Sequence, residues 1–185
     1  MSTPEYGWYG DDFTGATDTL AELARRGMRA LLFLNHPDAA RLESAGHLDA
    51  VGIAGSSRAM APTAMADELA PVDRLFRDLG VRVLHYKCCS TFDSAPETGS
   101  IGAALRALRP FFPSPFRPII GGQPNLGRYT LYGNLFATAG IGGTVHRIDR
   151  HPTMHAHPVT PMAEADFRLH LAAQGLDAVN LPYPA

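Results

Sequence analysis

Cysteine is scarce in this sequence. There are two, Cys88 and Cys89, side by side among 185 residues. Sequence neighbours cannot build a disulfide framework, so a reducing, cytoplasmic setting is expected. A surplus of either charge is also missing. Sixteen Lys and Arg stand against 18 Asp and Glu, for a formal net charge of −2. No basic field is available to hold nucleic acid or an anionic membrane surface. No apolar run is long enough to span a bilayer. The opening residues, MSTPEYGWYG, lack the basic and apolar regions of a secretory signal. Neither an internal repeat nor a low-complexity tract interrupts the chain. What remains is an ordinary globular composition, 45% hydrophobic and 18% charged, long enough for one domain with a real core.

Against that background one stretch stands out, Tyr6–Asp18, which reads YGWYGDDFTGATD. A short aromatic run (Tyr6, Trp8, Tyr9) breaks at Gly10. Asp11 and Asp12 follow, then Phe13, Thr14 and Gly15. A helical pattern of Ala16, Leu20, Leu23 and Ala24 comes next. This reads as strand, tight turn and helix. In open α/β sheets, ligands bind in the crevice beyond the carboxyl ends of the strands. Gly15 permits close backbone approach, and a helix start offers free N–H groups. Asp and Thr at a helix start are also ordinary N-caps. Two adjacent acids and a hydroxyl exceed what capping needs, so a polar ligand site is the reading preferred here.

The rest of the chain alternates strand and helix. Helix is expected over 16–26, ended by Gly27. MRALLFL (28–34) reads as a buried strand and 36–47 as a polar, mostly irregular connection. DAVGIA (49–54) is a second core strand, opening into Ser56, Ser57 and Arg58. Residues 63–79 are helical, with Leu69, Val72, Leu75, Phe76 and Leu79 on one face. VRVLHY (81–86) is a third strand, opening into Lys87 and the run to Ser94. Helix is expected over 99–108, and a further strand starting at 118–120. Beyond Gly121 the texture turns to Gly, Pro and His. Helix resumes over 163–173, and 177–181 looks like the start of another strand. The expected fold is therefore α/β, an open, mostly parallel sheet with helices on both faces. Right-handed crossovers place the strand ends on one edge. The polar clusters at 11–12, 56–58, 87–94 and 121–128 then converge.

Several residue types compete for roles there. Lys87 and Arg58 suit a carboxylate or phosphate, since each follows a strand. A solvated loop charge is the plainer reading of Arg58. Cys88 and Cys89 show no base at a recognised spacing and read as core at a strand end. His146, His151, His155 and His157 match no helical zinc motif, and intervening prolines prevent a shared helical face, so no metal site is expected. One or two of these histidines are expected to line a cleft, and the others to bond backbone.

Four blocks of the chain resemble a known family. GDDFTGATD (10–18) is similar to the opening of the four-carbon acid sugar kinases. STFDS (90–94), preceded by Tyr86 and Lys87, resembles their second block. Gly127–Arg128 followed by GNLF (133–136) resembles the third, and HPVTPM (157–162) the fourth. RHPTMHAHPVTPM is similar to a branch bearing the older label Hrp-dependent type III effector. The resemblance implies a two-domain enzyme. One domain binds a threonate, erythronate or oxo-tetronate. The other binds ATP with Mg2+ and passes the γ-phosphate to a substrate hydroxyl. It implies that Asp12 or Asp11 is the general base or the orienter of the hydroxyl. It also implies a substrate-binding set of Thr14, Gly15, Arg58, Lys87, Ser90, Thr91, Asp93, Arg128 and His157.

The pattern departs at Leu126 and Tyr129, where much of the family has Asn and Thr, and at Gly121, where many relatives have Pro. No P-loop or GxGxxG pattern occurs. Residues 1–185 are therefore expected to be a single, incomplete sugar-acid-binding domain without an evident ATP site. An exposed sheet edge would call for a nucleotide-binding domain, a partner chain or a homodimer. The alternative is a stand-alone binding or effector-like protein without kinase activity. Paired aspartates and a later lysine also suit a receiver-like phospho-acceptor, which the surrounding blocks do not fit.

Overall fold

The computed structural model describes residues 3–110 and 112–181. Its first half is a parallel sheet in the order β2-β3-β1-β4. The strands are β1 (Tyr6–Gly10), β2 (Ala30–Phe33), β3 (Ala50–Ala54) and β4 (Val83–Lys87). β1 lies in the middle, and Gly10 pairs in register with Ala54 on one side and Lys87 on the other. Three strand ends therefore stop level with each other, which brings the segments after β1, β3 and β4 to one rim.

β1 is central because both its faces are apolar. Trp8 and Tyr9 point to opposite faces and are fully buried. Helix α1 (Phe13–Arg25) covers the Trp8 face, where the indole Nε1–H donates to Ala16 O at 3.1 Å. Helix α3 (Pro62–Asp78) covers the other face, packing Met65, Leu69, Val72 and Phe76 against Tyr9, Val51 and Ile53. Helices on both faces are thus observed, as expected. Gly52 makes room for the indole, because a Cβ there would fall 2.1 Å from the Trp8 ring. Gly52→Ala is expected to destabilise by about 1–3 kcal/mol through overpacking. A lower urea midpoint at unchanged slope would show it.

Helix α4 (Ile101–Leu108) joins two cores. Ala103, Ala104 and Leu108 pack into the first core, and Ile101 packs into a second with Phe92, Leu135, Ile148, Met162 and Leu171. Over the second core lies an antiparallel ribbon of β5 (Arg128–Leu131), β6 (Asn134–Thr138) and β7 (Val145–Arg147). Helix α5 (Phe167–Ala172) closes this half. Beyond its end, Gln174 is buried. Its Nε2 donates to Ser94 Oγ at 2.8 Å, and its Oε1 accepts from Gly102 N at 3.4 Å.

Several expectations are corrected. The connection at 36–47 is not mainly irregular. It holds helix α2 (Ala39–Ala45), capped by Asp38, whose side chain accepts from Arg41 N. No residue of α2 is buried, so no apolar stripe betrays it. Residues 118–120 form no strand, and Ile120 is 80% exposed. Residues 177–181 likewise form no strand with any of the described residues, and Val179 and Leu181 are exposed. The antiparallel ribbon is an addition to the parallel sheet. Among the described residues no helix is long and apolar enough to cross a membrane.

Candidate functional site

The turn after β1 is held from three sides. Asp11 N donates to Lys87 O at 2.9 Å, Arg58 N donates to Asp11 O at 3.2 Å, and Gly55 N donates to Gly10 O at 2.9 Å. Asp12 is the N-cap of α1, with extended backbone, and its Oδ1 accepts from Gly15 N at 2.5 Å. Its Oδ2 meets Arg58 Nη1 at 2.8 Å. Capping and site geometry thus coexist in one carboxylate, and each oxygen has its own partner.

Asp12 opens onto a cleft of about 810 Å³. One wall comes from the parallel half: Asp12, Thr14, Gly15, Asp18, Lys87 and Ser90. Lys87 Nζ donates to Cys88 O at 2.6 Å, which arches the side chain over the end of β4. A Cβ at Gly15 would come within 3.2 Å of that nitrogen and 2.8 Å of Asp12 Oδ1. Glycine there lets the helix start sit against both charges. The opposite wall comes from the ribbon, with Leu126, Gly127, Arg128, Tyr129, Thr138 and the loop 140–143. Gly127 takes a φ of 69°, Arg128 Nη1 donates back to Leu126 O at 2.7 Å, and Thr138 Oγ1 donates to Gly127 O at 3.1 Å. Arg128 Nε is buried without a hydrogen-bond partner among the described residues. The cleft therefore offers two cations, two carboxylates and hydroxyls, together with an apolar lip.

The remaining candidates lie beneath or beside the cleft. Asp11 is 2% exposed, does not line it, and leaves Oδ1 without a partner among the described residues. Burial pushes its carboxyl up to about 7, the charge of Asp12 adds to this, and Arg58 and Lys87 oppose it. Thr91 and Asp93 are also buried. Thr91 Oγ1 donates to Asp93 Oδ1 at 2.5 Å, and Thr160 Oγ1 donates to Asp93 Oδ2 at 3.1 Å. Arg58 lies between Asp12 and Asp93, with Nε 4.0 Å from Asp93 Oδ2. His157 stands outside the cleft lining, where its Nδ1 accepts from Thr160 N at 3.0 Å.

None of the four histidines lines the cleft, which corrects that expectation. His151 Nδ1 accepts from the backbone of Thr153 and Met154, and His155 Nδ1 contacts His151 O at 2.7 Å. They order an irregular, proline-interrupted segment. Cys88 packs beside the second core, whereas Cys89 reaches the cleft wall, its Sγ 3.1 Å from Thr91 Oγ1. Burial pushes both thiols up, away from nucleophilic use.

Sequence reasoning missed Asp18, Thr138 and the loop 140–143. Asp18 could have been found, since it stands one helical turn beyond Thr14 on the same face. Leu126 and Tyr129 stand out in the sequence as departures from a pattern, not as wall residues. Ribbon strands this short carry too few alternations to announce which side faces a cleft.

The sugar-binding N-terminal domain family matches residues 6–184. The 3-oxo-isoapionate kinase of Paraburkholderia graminis is 46% identical over 174 residues, covering 94% of this chain and 37% of that protein. The 3-oxo-tetronate kinase of Cupriavidus necator is 36% identical over 179 residues, covering 96% of this chain and 39% of that protein. The crystal structure of a Haemophilus influenzae protein aligns with a TM-score of 0.76 at 27% identity, covering 91% of this chain and 38% of that one. The chain thus spans well under half the length of the curated relatives it matches.

Proposed function

This chain belongs to the sugar-binding N-terminal domain family, and we propose that it forms the sugar-acid-binding part of an ATP-dependent kinase. The substrate would be an oxo acid sugar of the 3-oxo-isoapionate or 3-oxo-tetronate class, phosphorylated on a hydroxyl. The observation carrying this reading is the meeting of Asp12, Lys87 and Arg128 on one cleft at the carboxyl ends of parallel strands. Lys87 and Arg128 provide cationic donors for a carboxylate. Thr14 and Ser90 provide partners for hydroxyls. Asp12, fixed by Arg58 and Gly15 N, orients the reacting hydroxyl and takes its proton. Positioning and charge complementarity are what phosphoryl transfer asks of a protein. A cytoplasmic metabolic role goes with this reading.

A triphosphate with Mg2+ does not fit this wall. The start of α1, which faces the cleft, is already capped by a carboxylate, which repels phosphate. In this reading the nucleotide belongs to the part of the relatives that this chain does not span.

Thermal unfolding tests both halves of the proposal. Threonate, erythronate, 3-oxo-tetronate and 3-oxo-isoapionate would each be titrated into the chain. At least one is expected to raise the melting temperature with concentration, by mass action. ATP with Mg2+ alone is expected to leave it unmoved. An unmoved melting temperature with every acid at millimolar concentration would remove the sugar-acid reading.

A further inference from the structure

We propose that Asp93 and Thr160 are positioning residues, which act on the cleft through Arg58 and do not meet the ligand themselves. The inference rests on the sugar-acid reading above. A continuous set of contacts runs from the second half of the chain to the cleft wall. His157 Nδ1 accepts from Thr160 N at 3.0 Å and fixes the turn that carries the Thr160 hydroxyl. That hydroxyl donates to Asp93 Oδ2 at 3.1 Å. The same oxygen faces Arg58 Nε at 4.0 Å, and Arg58 Nη1 meets Asp12 Oδ2 at 2.8 Å. Of these five residues, Asp12 alone lines the cleft.

Burial supports the assignment. Asp93 is 4% exposed and Thr160 is 1% exposed, so neither presents a polar atom to a ligand. Thr91 and Thr160 occupy one oxygen each of the Asp93 carboxylate. Its charge then calls for a cation nearby, and Arg58 supplies one. A guanidinium is a rigid planar fork. Holding its Nε edge toward Asp93 sets the direction of the Nη1 that grips Asp12. Residues 67 positions apart, Asp93 and Thr160, thereby fix a carboxylate that belongs to the first turn of the molecule.

A double-mutant cycle tests this, using calorimetric titration of the tightest-binding acid of the panel above. Asp93→Asn and Arg58→Met are each expected to weaken binding about tenfold, the scale of one charge-assisted hydrogen bond. The double variant should be no weaker than the poorer single one, because both remove the same support. Thr160→Ser keeps the hydroxyl and should bind within about twofold of wild type, whereas Thr160→Val should lose affinity. A purely architectural role would lower melting temperatures and leave affinity below the transition unchanged. Fold losses that multiply in the double variant, or an unchanged affinity in Asp93→Asn, would overturn the proposal. If Asp93→Asn fails to fold, the cycle of Thr160→Val with Arg58→Met takes its place, and multiplying losses there overturn the proposal in the same way. Failure of wild type to bind any acid would bring down the sugar-acid reading and this proposal with it, an outcome distinct from multiplying losses.

Discussion

Asp12→Asn is expected to weaken sugar-acid binding about 10- to 100-fold, while Asp11→Asn leaves it within about threefold. The two neighbours differ in burial and in what they face. Asp12 faces the cleft as the cap of α1, and Asp11 is buried behind it. In the proposed role, the Asp12 carboxylate accepts the hydrogen bond of the substrate hydroxyl. An amide in its place still caps the helix, since Asn is as good an N-cap as Asp. It loses the negative charge that holds Arg58 and strengthens the bond to the hydroxyl. The fold should therefore survive and the affinity should not. Calorimetric titration of the two variants side by side gives the answer. Equal losses in both would mean that the pair acts as one anionic centre, and a loss confined to Asp11→Asn would reverse the assignment.

Much of this geometry could be read in advance, and the reasons are local. YGWYGDD places three large aromatics, Tyr6, Trp8 and Tyr9, in a short run, then two acids, then a helical repeat. Each level agrees with the next, so β1, the turn and α1 emerge clearly. β3 shares that quality, because it is wholly apolar and buried and opens into polar residues, and β4, although it carries His85, also opens into a polar run. The second half lacks it. Ile119 and Ile120 look like a strand by residue type, yet no neighbour pairs with them in the described structure. The β5–β6 hairpin turns on Tyr132 and Gly133, both with positive φ. Gly133 in a two-residue turn is the signal the sequence holds, and Tyr132 conceals it, since an aromatic residue is a rare occupant of that conformation. The buried roles of Asp93 and Thr160 are illegible for another reason. A carboxylate that meets a ligand and one that holds an arginine look alike in sequence, and only burial separates them.

Stability should also report on Asp11, through pH. Its carboxyl is raised from 3.8 to about 7 by burial, reinforced by the Asp12 charge and opposed by Arg58 and Lys87. Between those two values the folded chain keeps a proton there that the unfolded chain has released. The folded state thus binds more protons, so the contribution of this group to stability falls as pH rises through that window. Below 3.8 the group costs nothing, and above about 7 the full penalty is present and constant. At about 1.4 kcal/mol per pKa unit, that penalty is about 4 kcal/mol. Asn resembles the protonated acid in shape and carries no charge. Asp11→Asn should therefore gain stability over wild type progressively from mildly acid to neutral pH, then hold a constant advantage. Urea unfolding of both proteins at several pH values gives the difference directly. A difference independent of pH, or one that shrinks as pH rises, would mean that Asp11 is ionised in the fold across the whole range. Asp12 and Asp11 would then carry two negative charges at the rim, with Arg58 and Lys87 as their counter-ions. Less of that cationic charge would be left for a ligand carboxylate, so the pH dependence of one buried acid also bears on which charges the cleft has free to offer.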